Sequence, residues 1–310
     1  MNFDVTRRIV RLHNEYLRDR SRFALRVTVV LLAVALLFFK RTFWTPDTLL
    51  LIVLIIGVVF GRTREFIVRF VPFLGMLVVY DSMRSFADDL NKNVHFWEMI
   101  RFDHWISGGV LPTTVMQNWW WEGRVGVLEF YFYFLYTLHF LVPLIVGLML
   151  WKFRPRLYWP FVWSIVGISF AAFITYIIFP AAPPWMAREL GYIVEPLHRI
   201  SSDVWWAMGI TNFSEVYKNL SPNAVAAVPS LHSAYPLIAT AFMIKGFGWR
   251  RCGWLLLYPL SMWIGVVYLG EHYVFDVIAA IVFVIVGLWC VRYGFRLWRR
   301  YHYEKGLKRT

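Results

Sequence analysis

At 310 residues, 59% hydrophobic, 19% aromatic and only 16% charged, the chain is too apolar for an ordinary soluble domain. The formal charge of +13 would suit a nucleic-acid partner, yet the basic residues are dealt out in small groups between long apolar runs, which excludes that reading and points to a membrane. With only Cys252 and Cys290, a disulfide framework and a cysteine metal site are excluded as well.

Residues 1–23 read as a basic cytoplasmic segment, without the short apolar core and small-residue cleavage site of a removable signal peptide. Apolar runs follow at 24–44, 46–61, 65–80, 127–151, 157–179, 232–249, 253–270 and 273–295, and a bilayer crossing takes about 20 residues of helix. The runs 46–61 and 65–80 are short and form either two spans or a re-entrant hairpin; either choice leaves the sidedness downstream unchanged. With both termini in the cytoplasm, more than two thirds of the 32 Lys and Arg fall on the cytoplasmic side. They lie in Arg7 to Arg26, at Arg62, Arg64 and Arg69, at Lys152, Arg154 and Arg156, at Lys245, Arg250 and Arg251, and from Arg292 to Arg309. The expectation is an all-α integral membrane protein, a multi-span helical bundle of about eight spans. A single membrane domain, 24–297, carries extracytoplasmic loops near 81–126 and 180–231, and a basic tail, 298–310, anchors at an anionic leaflet.

In the first loop, "VVYDSMRSFADDL" (78–90) places Asp81 and Arg84 at the edge of a span. "FDHWISGGVLP" (102–112) predicts a short helix along the surface, and Trp119 to Trp121 an interfacial aromatic belt. The run 127–151 carries Glu129 and His139 among aromatic residues, and the second loop opens with "APPW" (182–185) and Arg188. "AVPSLHSAYP" (227–236) is a helix start, with Ser230 placed to cap the first turn and His232 inside it. "YLGEHYVFD" (268–276) sets His272 and Asp276 four residues apart on one helical face. A carboxylate in an apolar run needs a partner, and one that holds a histidine nitrogen fixes the tautomer and leaves the other nitrogen to act. Between the two stretches a helix descends, turns at a basic segment and climbs back over about 26 Å, one hydrocarbon thickness. His232 and His272 are thereby delivered to the same membrane face. On the residues alone, the convergence reads as a nucleophile and its acid, as a polar tie between helices, or as zinc ligation by His232, His272 and Asp276.

"PSLHS", followed some forty residues later by "YLGEHYVFD", resembles the type-2 phosphatidic acid phosphatase superfamily. The resemblance implies a six-helix phosphatase-like core with His272 as the nucleophile that takes the phosphoryl group. It further implies Asp276 as the residue that orients and charges that nucleophile, and His232 as the acid on the leaving oxygen, with no cofactor and no metal. The family's cationic clamp is missing here: the arginine position six residues before the second histidine is Val266, the serine before it is Gly265, and Lys152 in "KFRP" has the wrong spacing and side. "IIFPAAPPWM" (177–186) and "YTLHFLVP" (136–143) are similar to segments of the fungal inositol phosphorylceramide synthases, and 78–90 is similar to a Tyr-Asp-x-x-Arg segment of bacterial relatives. These likenesses imply a lipid phosphotransferase that moves a phospho-headgroup, such as phosphoinositol, between membrane lipids as donor and acceptor. The reaction would run through a phosphohistidine-type intermediate at the extracytoplasmic face. The alternative is a lipid phosphate phosphatase, of phosphatidic acid or polyprenyl phosphate type, with the same site. Expected substrate contacts are Arg84, Arg188, His139, Ser230 and Tyr268, with Lys92, Arg101, Arg124, Arg199 and Lys218 as further extracytoplasmic cations. A transporter or a catalytically inert lipid-binding protein is the third class, and the sequence leaves oligomeric state open.

Overall fold

The structure is a computed structural model that describes residues 63–84, 90–139, 141–209 and 223–307, with isolated positions at 21, 24 and 28. Apart from positions 24 and 28, the expected spans 24–44 and 46–61 lie outside the described residues, as does the cation Lys218. The chain divides into two compact units, Met1–Val78 and Val79–Thr310. Apart from positions 21, 24 and 28, the described part of the first belongs to helix α1, Thr63–Arg84, which contains Pro72.

All regular structure among the described residues is helical. In the second unit, α2 (Trp97–Ser107) and α3 (Pro112–Trp120) occupy the first predicted loop. The helix expected along the surface is thus α2, starting five residues earlier than its motif. Next come α4 (Val127–Thr137), α5 (Leu141–Phe153) and α6 (Pro155–Ile178), then the short α7 (Pro184–Glu189) and α8 (Ile200–Ala207) in the second loop. The site-bearing end of the chain is α9 (Leu231–Phe247), α10 (Trp249–Cys252), a 3₁₀ turn (Gly253–Leu256), α11 (Leu257–Tyr268) and α12 (Val274–Leu307). Proline opens α3, α6 and α7, where its missing N–H costs nothing and its fixed φ suits a first turn.

Among the described residues, α6 and the first 28 residues of α12 (Val274–Tyr301) are each long and apolar enough to cross a bilayer. The run predicted as one span at 127–151 is instead α4 and α5, bent by 54° at their junction, and the pair passes the same test together. α9 is the hub of the bundle, packing against α5, α6, α11 and α12, while α6 also packs on α5 and α12, and α11 on α4. This is an all-helical, integral membrane architecture. The face of α12 turned away from these partners exposes Ile278, Val282, Ile285 and Trp289, as lipid contact requires.

The two loops are stitched to one another by backbone hydrogen bonds. Ala182 N–H donates to His95 C=O at 3.0 Å, and Ala181 N–H to Val225 C=O at 2.8 Å, so residues 95, 181 and 226 lie side by side as two isolated parallel bridges. The Ala-Pro-Pro-Trp segment is thus pinned between the first loop and the approach to α9. Under it sits an apolar cluster of Met99, Ile100, Leu111, Ala187 and Tyr273, which joins α2 and α7 to the start of α12.

Candidate active site

The approach to α9 ends at Ser230, a helix N-cap whose hydroxyl accepts from Ser233 N–H at 3.3 Å. Tyr176 of α6 donates its hydroxyl to Pro229 C=O at 2.9 Å, and Ser230 N–H donates to Asp276 C=O at 3.3 Å. These bonds fix the turn that carries His232 against both α6 and α12. Pro236 has no N–H to give to the His232 carbonyl four residues back, so the first turn of α9 is looser in its own ladder than the rest.

His272 stands at the other end of the hairpin. The N–H groups of Glu271 and His272 both donate to Val266 C=O, each at 3.1 Å, which closes α11, and Gly270 makes the turn. Its φ is +79°, and a Cβ there would lie 2.7 Å from His198 C=O, so the glycine of the Tyr-Leu-Gly sequence answers both to backbone sign and to space. α12 then begins at Val274, and its first N–H groups are met by Asp103 of α2: Val274 N–H donates to Oδ2 at 2.9 Å and Phe275 N–H to Oδ1 at 3.0 Å. Burial pushes the Asp103 carboxyl up to about 7, outweighing these two backbone donors.

His272 Nδ1 faces Asp276 Oδ2 at 3.1 Å, and the same oxygen accepts Tyr273 N–H at 2.9 Å. Asp276 is 0% exposed. With the carboxylate accepting the Nδ1 proton, His272 Nε2 carries the ring's lone pair, and that atom lies 3.4 Å from His232 Nδ1. His232 is stacked on Tyr136 (centroids 4.0 Å apart, planes at 13°), and the His139 ring lies 3.9 Å away at 52°. His139 holds itself in place by its Nδ1, 2.8 Å from Tyr136 C=O in the broken junction of α4 and α5. Three imidazoles therefore share one recess. It encloses about 580 Å³ including its open mouth and is lined by His139, His232, His272 and Glu271, with Tyr80, Tyr136, Tyr176, Tyr235 and Asn223 around them. A neutral imidazole with its lone pair aimed into such a recess is a competent nucleophile, and a second imidazole beside it is a competent proton carrier.

The sequence-predicted residues divide between this recess and its supports. His232, His272, Asp276 and His139 come together. Ser230 is fully buried as a cap, and Tyr268 is fully buried with its hydroxyl on Glu129 Oε1 at 2.5 Å and its carbonyl on Gln117 Nε2 at 2.8 Å. Neither lines the recess. Arg188 is exposed on α7 and donates to Ile193 C=O at 3.1 Å, also away from the lining. Arg84 ends α1, and its side chain lies outside the described residues. Val266, where the family resemblance expects arginine, is 0% exposed in an apolar cluster with Met262, Val267 and Val277. A guanidinium there would be buried among hydrocarbon. The residues that sequence reasoning missed are Asp103, Gln117, Glu271 and Tyr136; Asp103, Tyr136 and Glu271 stood within quoted stretches without being given a role, and Gln117 stood in none. Among the described residues, no group of three or more His, Cys, Asp or Glu side chains is arranged to hold a metal ion.

The chain is 27% identical over 252 residues to the phosphoinositol dihydroceramide synthase of Bacteroides thetaiotaomicron, covering 75% of this chain and 78% of that one. No solved structure matches it. The family model described as the PAP2 superfamily matches residues 97–290, well over half of the chain and all of the recess lining except Tyr80. The protein therefore belongs to the PAP2 superfamily of lipid phosphotransferases and phosphatases.

Proposed function

We propose that the protein is an integral-membrane lipid phosphotransferase that moves a phospho-headgroup, such as phosphoinositol, from a donor phospholipid to the hydroxyl of an acceptor lipid. The observation that carries the proposal is the chain of contacts from Asp276 through His272 to His232 at the edge of the recess. His272 Nε2 attacks phosphorus while Asp276 holds the Nδ1 proton and balances the charge that the ring gains. The P–N bond forms as the P–O bond to the donor lipid breaks. His232 gives a proton to the departing oxygen, which leaves as an alcohol. In the second half the acceptor hydroxyl loses its proton to His232, attacks phosphorus and restores His272. The curated relative's name, with its phosphoinositol headgroup and dihydroceramide, supports transfer over hydrolysis as the second step. The positive-inside charge pattern supports both termini in the cytoplasm and the recess on the extracytoplasmic side. The same pattern supports the basic N-terminal segment, single membrane domain and basic tail read from the sequence. His139, which lines the recess, is assigned to substrate contact.

The test uses purified protein, a panel of phospholipids, and ceramide or diacylglycerol as acceptor, with products followed by mass spectrometry. A headgroup-phosphate appearing on the added lipid is the expected outcome. His272→Ala lowers the rate by about 10⁴-fold or more and His232→Asn by about 10²–10⁴-fold. Release of inorganic phosphate independent of acceptor would make the protein a phosphatase instead.

A further inference from the structure

Glu271 precedes the candidate nucleophile His272 and lines the same recess, yet its side chain is only 4% exposed. It is held from behind. Arg199 Nε donates to Glu271 Oε1 at 2.9 Å, an Arg199 terminal nitrogen lies 3.4 Å from Oε2, and the Ser201 hydroxyl donates to Oε1. Arg199 is itself clamped, 13% exposed, with its guanidinium 3.8 Å over the ring of Trp185 from the Ala-Pro-Pro-Trp segment. The carboxylate therefore has a fixed position, and the arginine that fixes it is not part of the recess lining. Of this ion pair, Glu271 is the member that lines the recess beside His272.

We propose that Glu271 is a specificity-determining residue that acts as a charge filter, admitting singly charged phosphodiesters and disfavouring doubly charged phosphate monoesters at His272. The inference rests on the phosphotransferase reading above and gives it a physical basis. A like charge in the wall of the recess opposes a dianion about twice as strongly as a monoanion, and the low exposure of the pair limits screening. A phosphodiester donor carries one charge on its phosphate; a lipid phosphate monoester carries two above its second ionisation, near pH 6.

The full chain is assayed side by side on vesicles containing phosphatidylinositol, a diester, and phosphatidic acid, a monoester, and the ratio of their kcat/KM values is the readout. Glu271→Gln keeps the shape and removes the charge, so the monoester-to-diester ratio rises on the order of tenfold or more. Arg199→Gln removes the balancing cation and moves the ratio in the opposite direction. Opposite shifts from two partners of one ion pair are not what a merely structural role produces. The wild type supplies a third measurement, which decides the matter where the variants do not fold: its ratio rises as pH falls through about 6, because the monoester loses a charge while the diester does not. A ratio that stays flat from pH 8 to 5, or that moves in neither variant, overturns the charge filter. Capture of radiolabelled phosphate on His272 tests the underlying reading separately. A labelled enzyme with a flat ratio sinks only the filter, and an unlabelled one with a shifting ratio sinks only the phosphohistidine chemistry.

Discussion

His232 and His272 are 3.4 Å apart at their nearest nitrogens, yet they are restrained by opposite means. His272 is held by its edge, with one nitrogen on the Asp276 carboxylate and the backbone on Val266 C=O. His232 is held by its faces, stacked on Tyr136 and crowded by His139. An edge hydrogen bond fixes the tautomer and aims the remaining nitrogen, which is what an attacking atom needs. Stacking confines the plane of a ring without consuming a nitrogen, so the ring can give up and recover a proton without breaking its support. The two restraints suit the two roles proposed for these residues, and each can be removed on its own.

The largest effect is expected on the edge-held histidine. Asp276→Asn preserves the volume but offers an amide where the Nδ1 proton was accepted, and kcat falls about 10²–10⁴-fold with KM little changed. Steady-state kinetics on the phosphotransfer assay check this, and a drop below tenfold would mean that Asp276 only ties helices together. The face-held histidine responds less: Tyr136→Leu removes the stacked ring but leaves the nitrogens in place, and kcat falls roughly tenfold. A pre-steady-state split locates the loss in proton transfer to the leaving group, so a substrate with a more acidic leaving alcohol recovers most of it; no recovery would show that the ring serves packing alone.

The smallest effect separates support from chemistry. The Asp103 carboxyl, raised from 3.8 to about 7, binds a proton in the folded chain over a range in which the unfolded chain has released it. Its contribution to stability therefore falls as pH rises from about 4 to about 7. Asp103→Asn removes that titration and one acceptor, costing about 1–2 kcal/mol. The wild type's margin in thermal unfolding temperature over this variant is expected to shrink between pH 4 and pH 7. A margin that grows over that range would overturn the assignment.

What could be read in advance follows the length of the interactions. The His272–Asp276 pair is four residues apart on one helix, and its partner His232 is reached by the geometry of a single hairpin. Apolar runs announce helices because a bilayer demands them. Asp103, by contrast, meets Val274 across 171 positions, Gln117 meets Tyr268 across 151, and Arg199 meets Glu271 across 72. No local period encodes such pairs. The same limit explains Tyr268, whose motif position suggested substrate contact but whose hydroxyl meets Glu129 across 139 positions, whereas the Ser230 cap on Ser233 is local and was legible. The bend that splits 127–151 was hidden because an unbroken apolar run looks the same whether the helix continues or turns.

The tight approach at position 265 has its own consequence for how such a chain can change. A Cβ on Gly265 would lie 2.7 Å from Cδ1 of Phe132, so the serine of related sequences cannot be installed while that ring stays where it is. The neighbouring position is sealed in hydrocarbon at Val266, with 0% exposure. Any path from this sequence to one with the family's serine and arginine must both make room at 132 and open a polar route to 266.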